Sequence, residues 1–233
     1  MTRSQLVRAP RSAIAAEYAR APLARGRIPW RQAHYCVVDL ELSGLDPRTD
    51  EILSFAAVPI DAGRVVAGNA IYGVCRTTRP IPEESVLIHG IRTVDLADAP
   101  PLDEAIQPLI ALMTGRVLVA HVSWIESSFL TPVLRRQGVR LRQPVLDTYE
   151  LGQWWGRQRG QPLASTFLGE LAGRLNLPVH RPHHALGDAL TTAQVFIALA
   201  THLDRDRPQT VRSLAAAKRR VATYSMYPGT PDP

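Results

Sequence analysis

The sequence predicts an α/β fold: a mixed sheet flanked by helices. Two observations carry that expectation. Three strand-like segments follow one another near residues 35–75, and helix and strand patterns alternate from there onwards. Composition agrees: 45% of the 233 residues are hydrophobic and 21% charged, which suits a chain that buries a sizeable core. No run of ~18 consecutive uncharged apolar residues is present, so a membrane-spanning helix is not expected.

Taken in order, residues 1–33 read as a basic N-terminal extension. They hold Arg3, Arg8, Arg11, Arg20, Arg25, Arg27 and Arg31 against a single acid, Glu17, and so carry the whole formal charge of +6. A basic arm of this kind can neutralise phosphates. Arginine is also simply the favoured cation here, since Lys218 is the only lysine. The arm is Arg-rich and acid-poor like a transit peptide, but lacks the apolar run of a secretory signal, which argues against export. Within it, Ser12 to Arg20 reads as helix. Residues 35–40 form a buried strand, and Ile52–Ile60 and Val65–Cys75 two more, with Asp61-Ala62-Gly63 as a hairpin turn. The alternation of Leu102, Ile106, Leu109, Ile110 and Met113 predicts a helix over Leu102–Met113, stopped at Gly115. Val117–Ala120 is a wholly apolar strand and Trp124–Gln137 a helix. Val145 and Leu146 form a brief strand running into Asp147. Thr166–Leu175 and Leu186–Leu203 are helices, leaving residues 204–233 as a basic, then Pro-rich, C-terminal tail containing Lys218, Arg219 and Arg220. Residues 34–203 are the expected domain. Cys36 and Cys75 both fall in apolar runs and read as buried free thiols of a reducing, cytoplasmic setting.

The chemistry-bearing residues are acidic. Asp39 and Glu41 lie two apart at the end of the first strand, so their side chains leave the same face. Two carboxylates held together in a partly dry site need either a proton or a cation, and hard oxygen donors suit magnesium or manganese. Taken alone, the pair is better explained as a solvated strand end. Glu126, at the start of the helix after Val117–Ala120, and Asp188, at the start of the last helix, each have the plain reading of an acid complementing a helix dipole. His183 precedes Asp188 by five residues, after Pro182.

The order of these pieces carries more than any one of them. VVDLELSGLDP, VLVAHVSWIESSFL and HHALGDALTTAQVF, together with IHGIRTVDLADAP at 88–100 and PVLDTYEL at 144–151, resemble the motifs of the DEDDh 3′–5′ exonucleases, the group typified by the epsilon proofreading subunit of bacterial DNA polymerase III. The resemblance spans roughly residues 34–200. It implies a ribonuclease-H-like fold with a five-stranded mixed sheet, and an enzyme releasing 5′-mononucleotides from 3′-OH ends, DNA favoured. It also implies two Mg2+ or Mn2+ ions held by Asp39, Glu41, Glu126 and Asp188, with His183 as general base. Histidines ordinarily titrate near ~6.5, which suits that task. Leu42, Ser43, Leu45 and His89 occupy positions that the resemblance places near the terminal nucleotide. The implied partners are single-stranded or 3′-ended nucleic acid and, with it, a DNA polymerase; no membrane partner is implied. DLELSGLDP is also similar to oligoribonuclease, which keeps short RNA open as substrate.

The chain departs from the family pattern at five places. Glu126 stands where Asp is usual, Val122 where Asn is usual and Ile125 where an aromatic residue is usual. Leu42 and Arg92 each replace a common Thr. Glu126 and Val122 keep open a third reading, a weakly active binding subunit recruited by its basic arm or tail.

Overall fold

A computed structural model describes residues 9–142, 145–165 and 167–217. The chain begins its regular structure with α1 (Ala13–Arg20), capped at its start by the Ser12 hydroxyl, which accepts from the Ala15 N–H. The sheet follows: β1 (Tyr35–Leu42), β2 (Ile52–Asp61), β3 (Arg64–Val65), β4 (Ile71–Val74), β5 (Val117–Ala120) and β6 (Leu146–Asp147). Its order is β3-β2-β1-β5-β6, with β4 also on β2. β1 pairs antiparallel with β2 and parallel with β5, and β5 parallel with β6. The sheet is therefore mixed, as expected.

Two expectations are corrected. The third strand is not continuous over Val65–Cys75: Ala67–Asn69 form a 3-10 turn, and the Ala-Gly-Asn sequence there favours a turn over a strand. The two pieces pair with different stretches of the ten-residue β2. The helix expected over Leu102–Met113 is broken at Ile106 into α3 (Leu102–Ala105) and α4 (Gln107–Met113). Pro108 has no N–H to continue the ladder, and its ring would crowd the carbonyl four residues earlier.

The other helices are α2 (Glu83–His89), α5 (Trp124–Arg136), α6 (Thr148–Gln158), α7 (Leu168–Arg174), α8 (Ala185–Asp206) and α9 (Val211–Ala215). Strand alternation divides the core into two layers. Tyr35 and Val37 of β1 pack with Ala185, Ala189, Ala193 and Phe196 of α8. Cys36, Val38, Leu40 and Leu42 pack with α4 and α5 on the opposite side. Burial pushes both the Cys36 and Cys75 thiols up to about 12, and both are free.

The described part of the basic extension is packed rather than loose. Ala15 and Tyr18 of α1 join the α4–α5 layer, and Trp30 sits edge-on to Phe196 in the α8 layer. Likewise the described part of the C-terminal segment, through α9, buries Val211 and Leu214. Lys218, Arg219, Arg220 and the Pro-rich tail, with Arg3 and Arg8, lie outside the described residues. Among the described residues no helix is long and apolar enough to cross a membrane.

Candidate active site

Three elements that are remote in sequence meet at the carboxyl end of β1. Because β1 alternates, Asp39 and Glu41 leave its α8-facing side, where Tyr35 and Val37 lie further back. Asp188 enters from the first turn of α8. Asp39, Glu41 and Asp188 each bring a carboxylate oxygen to within 4.8 Å of the others. Glu126, in the first turn of α5, stands outside that mutual distance but close enough that its charge raises the pKa of Asp39. Of the four acids singled out in the sequence, three therefore share one cluster and Glu126 stands beside it.

Their electrostatics is one-sided. Asp39 is held well above the usual carboxylate range, first by burial and then by Glu126, Glu41 and Asp188. Burial pushes Glu41 up to about 7, with Asp188 adding to it. Burial also raises Asp188, against the hydrogen bond from the His183 N–H, and raises Glu126, with Asp147 adding to it. No lysine or arginine is among the groups acting on these four. Glu126 Oε2 is buried and has no hydrogen-bond partner. An orphaned buried carboxylate oxygen beside three more carboxylates, with no lysine or arginine among the described residues to offset them, is a donor set that fits hard divalent cations.

This has a measurable consequence in metal-free protein. The folded-state pKa of Glu41 lies above its ordinary value of 4.5, so its contribution to stability is full below that value and is lost as the pH rises through about 7. A shift of this size corresponds to about 3 kcal/mol, and Asp39 and Glu126 act in the same direction. Melting in chelator is expected to fall between pH 5 and pH 8, by about 10 °C for a chain of this length, and added Mn2+ or Mg2+ should restore it. A melting temperature flat across that range, with or without metal, would contradict the cluster.

His183 is exposed, in a loop ahead of α8, with its N–H donating to Asp188 Oδ2 at 2.8 Å. The loop is held on every side. The His180 N–H donates to Thr191 Oγ1 at 3.0 Å, and the His184 ring stacks on Tyr72 of β4 at 4.8 Å between centroids. Gly187 permits its close approach: a Cβ there would meet the Arg181 carbonyl oxygen at 2.4 Å and that of His180 at 2.6 Å.

The residues expected near a terminal nucleotide are placed unequally. Leu45 is 59% exposed in the loop after β1. His89 is half-buried at the end of α2; its Nδ1 accepts from the Ile91 N–H, which leaves Nε2 to carry the proton of a neutral ring. Burial lowers its pKa, opposed by the Leu42 carbonyl and reinforced by nearby His183. The Leu42 side chain, by contrast, is committed to the core on the α5 side. The Ser43 hydroxyl accepts from the Glu51 N–H, and its carbonyl accepts from the Ser85 hydroxyl; these bonds join the β1 loop to α2.

Sequence reasoning passed over Asp147, the last residue of β6. It is 4% exposed and accepts from the N–H groups of Val122, Ser123 and Tyr149 at 3.1, 2.8 and 2.9 Å. It thereby fixes the turn from β5 into α5, which sets the position of Glu126. The only available signal was an acid at the end of a short apolar strand. Val122 in this turn has φ 60, a left-handed conformation that costs a non-glycine residue about 1–2 kcal/mol and suits a β-branched one least. Val122→Asn should keep the bond to Asp147, relieve the strain and raise stability by about 1 kcal/mol, read as a higher melting temperature. An unchanged or lower value would count against strain at this turn.

A family model described as Exonuclease (RNase_T) matches residues 36–196. A DNA polymerase III subunit epsilon-like protein of Rhodobacter capsulatus is 35% identical over 175 residues, covering 73% of this chain and 24% of its own length. A PolC-type DNA polymerase III of Thermotoga petrophila is 30% identical over 169 residues, covering 72% of this chain and 12% of its own. The chain thus spans a quarter or less of these relatives. The DNA polymerase III subunit epsilon of Aquifex aeolicus is 26% identical, over 72% of this chain and 81% of its own. Among solved structures, exonuclease X in complex with 5′-overhanging duplex DNA superposes with a TM-score of 0.59 at 22% identity, covering 78% of this chain and 98% of that one. Escherichia coli exonuclease I in complex with a dA16 oligonucleotide does so at 0.65 and 17% identity, covering 75% and 42%. The fold is the ribonuclease-H-like fold of these exonucleases.

Proposed function

We propose that this chain, which belongs to the exonuclease (RNase_T) family, hydrolyses phosphodiester bonds at 3′-OH ends of nucleic acid, DNA in preference to RNA, and releases 5′-mononucleotides. The observation that carries the reading is the grouping of Asp39, Glu41 and Asp188, with buried Glu126 beside Asp39, and no lysine or arginine among the described residues acting on them. Four carboxylates match the charge of two divalent cations. Asp39, Glu41 and Asp188 are the residues to hold one, and Asp39 with Glu126 the other. Bound divalent cations supply Lewis-acid stabilisation of the charge that develops on phosphate oxygens and make water a stronger nucleophile near neutral pH.

The chain's own residues do the rest. His183, exposed at the mouth of the cluster and anchored through its N–H to Asp188, is the group to take the proton of the attacking water. Leu45, exposed in the loop after β1, and His89, half-buried at the end of α2, are the residues that would position the terminal nucleotide, Leu45 by apolar contact. Asp147 fixes the Val122–Ser123 turn that leads into the helix carrying Glu126. The polymerase III names of the relatives support association with a DNA polymerase, by which the chain would act as a proofreading component.

The test is a 5′-labelled single-stranded DNA incubated with Mg2+ or Mn2+, beside an RNA of the same sequence. A ladder shortening from the 3′ end, faster on DNA and absent in chelator, is expected. Product formed in a fully chelated sample, or shortening from the 5′ end, would overturn the reading.

A further inference from the structure

Three of the seven arginines of residues 1–33, Arg25, Arg27 and Arg31, are brought together with arginines from the other end of the chain, away from the carboxylate site. The segment around residues 25–31 is pinned to the segment between α8 and α9. The Arg212 N–H donates to the Gly26 carbonyl, the Val211 N–H to that of Ile28 and the Trp30 N–H to that of Gln209, and Pro29 and Thr210 form an antiparallel bridge. Arg31 lies along α8, with its Nη2 donating to Thr201 Oγ1 at 3.0 Å, one turn ahead of Arg205.

One end of the molecule thus gathers six exposed arginines from separate segments: Arg25, Arg27, Arg31, Arg205, Arg207 and Arg212. The acids among them are already engaged. Asp204 accepts from the Gln209 N–H, and Asp206 is paired with Arg159 at 3.5 Å. Among the described residues none of Arg25, Arg27, Arg205, Arg207 and Arg212 makes an ion pair. Arg205 stands seventeen residues along α8 from Asp188, a separation of about 25 Å at ~1.5 Å per residue. The basic pole and the carboxylate cluster therefore sit at opposite ends of one helix.

Concentrated, exposed guanidinium groups without carboxylate partners are the complement of a phosphate backbone. We propose that this pole is a second contact for the nucleic acid whose 3′ end occupies the carboxylate cluster, holding its backbone upstream of the scissile bond. The inference rests on the nuclease reading. A dinucleotide cannot bridge ~25 Å, whereas a twenty-nucleotide strand can, even at the ~3.4 Å per nucleotide of B-form DNA.

The test uses the full chain with Arg27, Arg207 and Arg212 all changed to Gln, and a second variant with the three changed to Lys. Turnover is measured on a dinucleotide and on a 20-mer, and 20-mer binding is followed by fluorescence anisotropy across a salt series. The Gln variant should cleave the dinucleotide as the wild type does. Its 20-mer affinity should fall on the order of tenfold, and its log–log salt slope should shallow by about two, at ~0.7 per phosphate contact on a single strand. The Lys variant, which keeps the charge, should behave as the wild type. A Gln variant with unchanged 20-mer affinity and salt slope, or a Lys variant as weak as the Gln one, would overturn the basic pole as a backbone contact. Failure of the nuclease reading is separable, because it appears as absent turnover of either substrate by the wild type itself.

Discussion

Asp39→Asn should reduce turnover on the order of 10^3-fold while making the metal-free protein more stable. Asp39 sits among the other three acids, and each of them raises its pKa. The amide removes one anionic oxygen from the donor set, and with it the transition-state stabilisation that bound cations would supply. The same change deletes a buried charge that no cation offsets, so in chelator above pH 7 the melting temperature should rise. Opposite signs in the two measurements separate loss of chemistry from misfolding. A variant that retains near wild-type turnover, or one that melts lower in chelator, would argue that Asp39 is not the centre of the cluster.

His183→Ala is expected to lower kcat on the order of 10^3-fold, within the usual range for a general base, and to leave metal-dependent binding of a 3′-ended strand intact. The anchoring of this residue runs through its main chain, by the N–H to Asp188 Oδ2. Alanine preserves that bond, so the loop should stay where it is. Because the ring is exposed, added imidazole has access to the space it leaves, and partial recovery of turnover should follow. A variant that loses binding as well as turnover would place His183 in substrate holding instead. His184 is not expected to substitute for it, since its ring is stacked on Tyr72.

The strongest pattern in the sequence was the one that governs the site. Strict alternation in β1 put Asp39 and Glu41 on one face before any contact was known, and α8 was legible from its apolar stripe. What local pattern could not show was contributed by distant packing. α6 was missed because Gly152 and Gly156 weaken its helical signal. Gly152 is there for close approach: a Cβ would meet Leu163 Cδ1 at 2.9 Å, so packing against the neighbouring segment sustains the helix despite its propensity. α2, at seven residues, is too short for a periodic signal. Asp147 reads as an ordinary strand-end acid until the turn at Val122 folds back on it. The basic extension looked separable because charge is visible along a chain, whereas the burial of Tyr18 and Trp30 draws on remote elements, α4 and α5 for the one and Phe196 of α8 for the other.

α8 carries a further implication for how the protein comes into being. This helix supplies Asp188 at its first turn, and its buried residues from Ala185 to Leu203 pack on the β1–β2 side of the sheet. A ribosome that has synthesised β1 and α5 has made Asp39, Glu41 and Glu126, but the side of the sheet from which Asp39 and Glu41 project is still bare. The final ligand and the cover for that side emerge together, on one element. On the proposed nuclease reading, an unfinished chain would lack Asp188 from its carboxylate set, and the set would be completed in the same event that closes this side of the core.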